Sequence, residues 1–196
     1  MYQTQLFYGG AIASVIPKGF LDASLLREVP DTQEVFVNSR KETEIDEFKD
    51  GLGLDESVIV DLLQQVEETD DLKALQVHLS EISDLNGSSE WHLLKHEVKS
   101  GPNAQTAIAV EPAYKWGKKE LKETLVVCIA LLRLKEFETD VVITVNIPLK
   151  GEKELRKLSD ATQYENASIP ASIEGGYRLI QAMVREFKVL DSSLFV

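Results

Sequence analysis

The sequence predicts an α+β domain, an antiparallel or mixed sheet covered by helices. Two observations carry this. Period-two and β-branched runs dominate the chain, with a helical period early and another late, and consecutive strand candidates are joined by tight turns rather than helical crossovers. The length of 196 residues, 43% of them hydrophobic, suits one domain with a buried core.

Residues 5–16, QLFYGGAIASVI, form two short apolar segments broken by Gly9 and Gly10, which mark a turn or bulge. Pro17 and Gly19 punctuate next, and Asp22 or Ser24 caps a short helical turn around ASLLREV. Pro30 and Asp31 make a turn before QEVFVNS, residues 33–39, whose alternation predicts a strand. Over 57–68, Val58, Ile59, Leu62, Leu63 and Val66 recur with a helical period. They predict a helix capped by Asp55 or Ser57, with Asp61, Gln64, Gln65 and Glu68 on its polar face. Residues 74–82, ALQVHLSEI, alternate and predict a half-buried strand with His78 on its polar side.

Asn86 and Gly87 signal a turn, and the segment to Ser100 stays open between helix and loop. QTAIAVE, 105–111, is a further strand. TLVVCIALLRL, 124–134, and DVVITVNI, 140–147, joined by KEFET, predict a hairpin at the sheet centre. Residues 150–168 lose apolar periodicity and read as a long surface loop that admits some helix, within a loop-rich stretch at about 150–170. Ile173, Tyr177, Ile180, Val184 and Phe187 then define an amphipathic helix.

The net charge is -12, and residues 41–71 hold 12 carboxylates against Lys41 and Lys49, so -10 of it sits in one sixth of the chain. Such a balance argues against an unassisted nucleic-acid or anionic-membrane binder, whose affinity comes from Lys and Arg. The segment is either a solvated face that aids solubility or a field that orients a basic partner. No signal-like N-terminus or membrane-length apolar run is present, and the single Cys128 fits a reducing compartment, so a soluble intracellular protein is expected.

Residues for chemistry are sparse. Phosphate-loop, GxGxxG, HExxH and GxSxG motifs and paired cysteines are all missing from the sequence. His92 and His96 have the i, i+4 spacing of a helical metal clip, but the sequence names no third ligand, and surface imidazoles are the better reading. His78 reads as a hydrogen-bonded sheet histidine, and Cys128 as a small buried hydrophobe. The glycosylation-like Asn86 and Asn166 triplets read as chance matches. KWGKKELK, 115–122, is the one basic island, a loop tip or a contact for phosphate or an acidic partner surface. Arg133 inside an apolar run must face solvent or pair with a carboxylate, because an unpaired buried charge is costly.

The segments GGAI (9–12), VIP (15–17), GFLDAS (19–24), LR (26–27) and VPDTQEVFVNSR (29–40) together resemble the Ran guanine nucleotide release factors, the Mog family. The likeness continues through ESVIVDLL (56–63), KWGK (115–118), ALLRL (130–134), ETDVVITVNIPL (138–149) and DSSLF (191–195), and is nearest to the fungal members. The resemblance implies a six-stranded antiparallel sheet flanked by helices, an α/β/α sandwich akin to PsbP. It also implies a nuclear protein, with the cytoplasm as a further location, that supports nuclear protein import; a monomer without cofactor or metal is expected beside it, since nothing in the sequence suggests a coiled-coil or repeat interface. Its partner would be the small GTPase Ran, with other Ran-binding proteins in a shared complex, and its activity the release of GTP from Ran. Family members attribute Ran binding to an acidic surface with the pattern DLLE; here it reads Asp61-Leu62-Leu63-Gln64, so a glutamine stands where the family has a glutamate.

A release factor needs no catalytic residue, because binding the empty G protein more tightly than the loaded one weakens the nucleotide by the same factor. The expected surface comprises Asp61, Gln64 and Glu68 with Glu56 nearby, extended by Arg27, Asp31 and Glu34. For Asp31 and Glu34, local capping or cross-strand pairing is an equal reading. The alternative function is a non-catalytic binding module for another basic protein or a small ligand. A hydrolase is the weaker rival, since the sequence assembles no triad.

Overall fold

In the computed structural model, which describes residues 2–88, 90–99, 103–114, 122–164 and 168–195, Tyr2–Phe7 (β1) and Ile12–Pro17 (β2) pair antiparallel. The turn between them carries positive φ at Tyr8, Gly9 and Gly10, two of which are glycine at no steric cost. A second sheet contains seven strands: Phe20–Asp22 (β3), Gln33–Asn38 (β4), Ser57–Gln64 (β5), His92–Lys99 (β6), Ala104–Tyr114 (β7), Lys122–Leu134 (β8) and Thr139–Leu149 (β9). Its spatial order is β3-β4-β5-β9-β8-β7-β6, and every pairing is antiparallel. Lys188–Val189 (β10) joins β2 to complete the small sheet. The described helices are Ile45–Phe48 (α1), Asp71–Leu85 (α2), Glu152–Gln163 (α3) and Ala171–Glu186 (α4).

The α+β expectation holds, with the central hairpin formed by β8 and β9, but the main sheet has seven strands where six were expected, and β1, β2 and β10 form a second, smaller sheet. Side chains alternate across them as the pleat requires. Val126, Cys128, Ala130 and Leu132 join the core shared with α4 and the small sheet, while Val127, Ile129 and Leu131 face α2. Two helices therefore sandwich one sheet. On the α4 side the packing is close: a Cβ on Gly175 would lie 2.6 Å from the Asp50 carbonyl oxygen, and one on Gly176 2.5 Å from Ile147 Cδ1.

Three expectations are corrected. The predicted helix over 57–68 is β5, a strand between β4 and β9 that is apolar on both faces, so its apolar residues do not alternate. The predicted strand over 74–82 is part of α2, whose buried Ala74, Leu75, His78 and Leu79 recur at helical spacing. Its N-terminus is set by Asp70, whose carboxylate accepts from Lys73 N–H at 2.9 Å. The stretch over 150–168, expected as a surface loop that admits some helix, is instead mostly helix: α3 takes up Glu152–Gln163 and buries Leu158. The open segment before Ser100 resolves as strand β6, so His92 and His96 are not one helix turn apart. The basic island at 115–122 and Asn166 lie almost wholly outside the described residues.

The acidic segment is anchored at a buried ion pair. Arg40 donates to both Asp50 oxygens, at 2.9 and 2.6 Å, and to the Lys18 carbonyl, and its guanidinium lies 4.0 Å from the centroid of Phe48. Both side chains are almost fully excluded from solvent. This neutralises one carboxylate of the 41–71 run and holds α1 against the domain.

Candidate functional site

Asp61 stands on the α2-facing side of β5, because Val58 and Val60 of the same strand point into the opposite core. Its cross-strand partner is Gln33 of β4, whose amide donates to Asp61 Oδ1 at 2.6 Å. Partial burial pushes the Asp61 carboxyl above the usual carboxylate range, against the lowering effects of Gln33 and of His78. The result is a desolvated carboxyl at the floor of a groove between the open sheet face and α2. Ile59, Leu63, Val142, Ile82 and Leu85 supply apolar walls.

A buried polar network fixes α2 over this face. Arg133 and Asp140 lie opposite each other in the β8–β9 register, and Arg133 Nε donates to Asp140 Oδ1 at 3.1 Å. The other Asp140 oxygen meets His78 Nε2 at 3.0 Å and accepts from Val66 N–H at 3.1 Å. Arg133 also donates to the Glu68 and Val66 carbonyls, at 2.6 and 2.7 Å, and to Asp71 at 3.3 Å. Burial alone would raise the Asp140 carboxyl, but His78, Val66 N–H and Arg133 outweigh it and hold the group below its ordinary value. The loop from β5 to α2 is thus tied to the central hairpin. Arg133 meets the sequence requirement by pairing, and His78 sits on a buried helix face, not on a sheet.

The remaining predicted residues separate. Glu34 and Gln64 have the strand parity of Val60, so both sit on the face opposite Asp61 rather than beside it. A helix would have placed Asp61 and Gln64 on one face; the strand does not. Glu34 accepts from Tyr8 N–H at 2.6 Å, and burial raises its carboxyl. Gln64 and Glu68 line a shallow hollow at the end of the sheet with Arg133, Lys135 and Glu138. Glu56 is buried, accepting from Gly53 N–H at 2.5 Å and from the Asn38 amide at 2.9 Å, so its carboxylate shapes a loop. Arg27 and Asp31 are exposed in the connection from β3 to β4.

Gln33, His78 and Glu81 border Asp61 and were not predicted there. The signal lay in the helical spacing of Ala74, Leu75, His78 and Leu79, which puts His78 on the inner face of α2. Burial raises the Cys128 thiol, as suits a packing residue. Among the described residues no cluster of three or more His, Cys, Asp or Glu is arranged to hold a metal, and no helix is long and apolar enough to cross a membrane.

The family model "Ran-interacting Mog1 protein" matches residues 5–148, from within β1 to the penultimate residue of β9. The Saccharomyces cerevisiae nuclear import protein MOG1 is 48% identical over 96% of this chain and 82% of its own. The human Ran guanine nucleotide release factor is 30% identical over 72% of this chain and 73% of its own. A solved structure of the Saccharomyces cerevisiae Ran-binding protein Mog1p covers 100% of this chain and 99% of its own, at 45% identity and TM-score 0.88. The family match spans β4, β5 and β9, the strands that carry Gln33, Asp61 and Asp140, and the chain belongs to the Ran-interacting Mog1 family.

Proposed function

We propose that this protein binds the small GTPase Ran and promotes release of its bound guanine nucleotide in support of nuclear protein import. The observation that carries the reading is the family match across the strands that build the Asp61 face, together with relatives named Ran guanine nucleotide release factor and nuclear import protein. The physical reading adds that Asp61 is a partly desolvated carboxyl on an open face, in the most acidic part of the chain. A cation brought to it by a basic partner relieves the cost of its ionisation.

The contact surface centres on Asp61, with exposed Asp31 and Arg27 beside β4 and with Gln64 and Glu68 at the sheet end. Glu56 and Glu34 support it from behind by holding backbone N–H groups. Action is by binding alone. The protein is tighter on Ran that has lost its nucleotide, and by linkage the nucleotide is weaker on Ran that has gained the protein. It works in the nucleus and extends to the cytoplasm, a reading that starts from the nuclear import role printed in the names of two fungal relatives.

The test is release of labelled GTP and GDP from purified Ran with and without the full chain. Faster release of GTP, saturating with protein concentration, is expected. No change in either rate, with no complex on gel filtration, contradicts the proposal.

A further inference from the structure

The turn between β1 and β2 reaches across to the strand that carries Asp61. Tyr8 in that turn has φ +53, a left-handed conformation costly for a bulky side chain, and such strain persists only where surrounding contacts impose it. Three contacts do so here. Tyr8 N–H donates to Glu34 Oε1 at 2.6 Å, and the phenol hydroxyl stands 2.7 Å from the Val60 carbonyl and 3.0 Å from the Thr32 carbonyl, its one proton shared between them. The ring packs on the core shared with α4, on the rear of the sheet relative to Asp61.

Thr32 and Val60 immediately precede Gln33 and Asp61 in their strands. Leu62 N–H donates to the same Thr32 carbonyl at 2.9 Å, so Gln33 and Asp61 form the next cross-strand pair, the non-hydrogen-bonded kind in which side chains stand closest. No ladder hydrogen bond joins that pair directly. Its spacing depends on the backbone to either side, which the Tyr8 hydroxyl ties together from behind, and on the 2.6 Å bond from the Gln33 amide to Asp61. Thr32 is also the last residue before β4, so without the tie the entrance of the strand is free to fray at Gln33. Burial, with the charges of Asp61 and Glu34 nearby, raises the phenol and keeps it a donor.

We infer that Tyr8 is a positioning residue of the Asp61 face: its hydroxyl holds Thr32 and Val60 at one spacing, which keeps Gln33 opposite Asp61 and sets where the carboxylate stands. The inference rests on the Ran-binding reading and adds to it a residue that acts from behind the sheet through Asp61. It also gives the Tyr8-Gly9-Gly10 turn a task beyond closing a hairpin. The two glycines take the other positive φ values, and the tyrosine is turned back onto the large sheet.

Tyr8→Phe removes one oxygen and keeps the ring, the Glu34 contact and the Leu62 N–H on Thr32, so the chain is expected to fold. Ser14→Ala is the control, because it deletes another buried hydroxyl bond of the small sheet, to the Met183 carbonyl at 2.7 Å. Ran affinity is measured by titration calorimetry for the native chain, both single variants, Asp61→Asn, and Tyr8→Phe combined with Asp61→Asn. Tyr8→Phe should weaken binding about fivefold, Ser14→Ala should not, and Tyr8→Phe should add less than about 1.5-fold once Asp61 is already Asn. Native affinity in Tyr8→Phe, an equal loss in Ser14→Ala, or the same fivefold loss on both backgrounds overturns the inference, the last because Tyr8 would not be acting through Asp61. A second measurement needs no partner. The Gln33 side-chain amide is followed by NMR as Asp61 is titrated with acid, and its pH-dependent shift should fall to about half or less in Tyr8→Phe; an unchanged shift overturns the inference. Failure of the native chain to bind Ran would instead remove the function, whereas the Gln33 resonance reads the geometry without Ran.

Discussion

Replacing Arg133 with methionine keeps much of the side-chain volume and removes the guanidinium from the centre of the α2 network. Four interactions go with it: those to Asp140, Asp71 and the Glu68 and Val66 carbonyls. The Asp140 carboxylate is fully buried and the Arg133 side chain 7% exposed, so solvent cannot replace the lost cation. His78 and Val66 N–H would remain as partners, but the permanent countercharge would not. Breaking a buried pair from one side costs about 3–5 kcal/mol. Against a total stability of about 5–15 kcal/mol, this is a large fraction. In urea it corresponds to a midpoint lower by about 1–2 M at unchanged slope. The penalty also carries a pH signature. The folded-state pKa of Asp140 lies below its unfolded value of about 3.9, so its contribution is present above that pH and lost as pH falls through the folded value. The gap between native and Arg133→Met chains should therefore be full at pH 7 and narrow below about pH 4. Urea unfolding followed by circular dichroism at both pH values measures it. A loss under about 1 kcal/mol at pH 7, or a gap that does not change with pH, would refute the network as the anchor of α2.

Two further outcomes follow from the same geometry. Gly175→Ala sets a Cβ against the Asp50 carbonyl oxygen and the backbone of Gly51 and Leu52, at 2.6 to 3.2 Å. Backbone cannot swing aside as a side chain can, so thermal unfolding should show a loss of about 1–3 kcal/mol or more, and a neutral result would contradict the close α4 contact. The raised Asp61 carboxyl makes ionisation unfavourable in the free protein as pH rises above about 4, and a partner's cation reverses that. Ran affinity, measured by titration calorimetry, should fall as pH drops through the Asp61 pKa of the free protein, and Asp61→Asn should flatten the dependence.

Much of the sheet was legible because its hairpins carry strong local signals. The β8–β9 pair has long β-branched runs with a short connection, and β4 alternates between turn residues. The amphipathic α4 was equally plain. The misreadings have one physical origin, the difference between a strand buried on two faces and a helix buried on one. Val58, Ile59, Leu62, Leu63 and Val66 fit a helical stripe by spacing, yet β5 sits between β4 and β9, where apolar residues face both cores. In α2 the polar Gln76, His78 and Ser80 imitate a strand's alternation, and only burial shows that His78 belongs to the inner face. That exchange moved the site. As a strand, β5 puts Gln64 on the face opposite Asp61, Glu56 lies in a buried loop, and the groove beside Asp61 exists only because α2 is a helix packed on the sheet. Carboxylates with local partners, such as Asp50 and Glu56, look in sequence like those left free for a partner. Only three-dimensional packing separates them.

The most direct measurement is the affinity of Ran for the native chain against Asp61→Lys, with circular dichroism and melting confirming that both are folded. Placing an ammonium where a partner's cation would sit should weaken binding by about 100-fold or more and abolish accelerated GTP release. A folded Asp61→Lys chain that binds Ran and releases GTP as the native chain does would take the Asp61 face out of the interface.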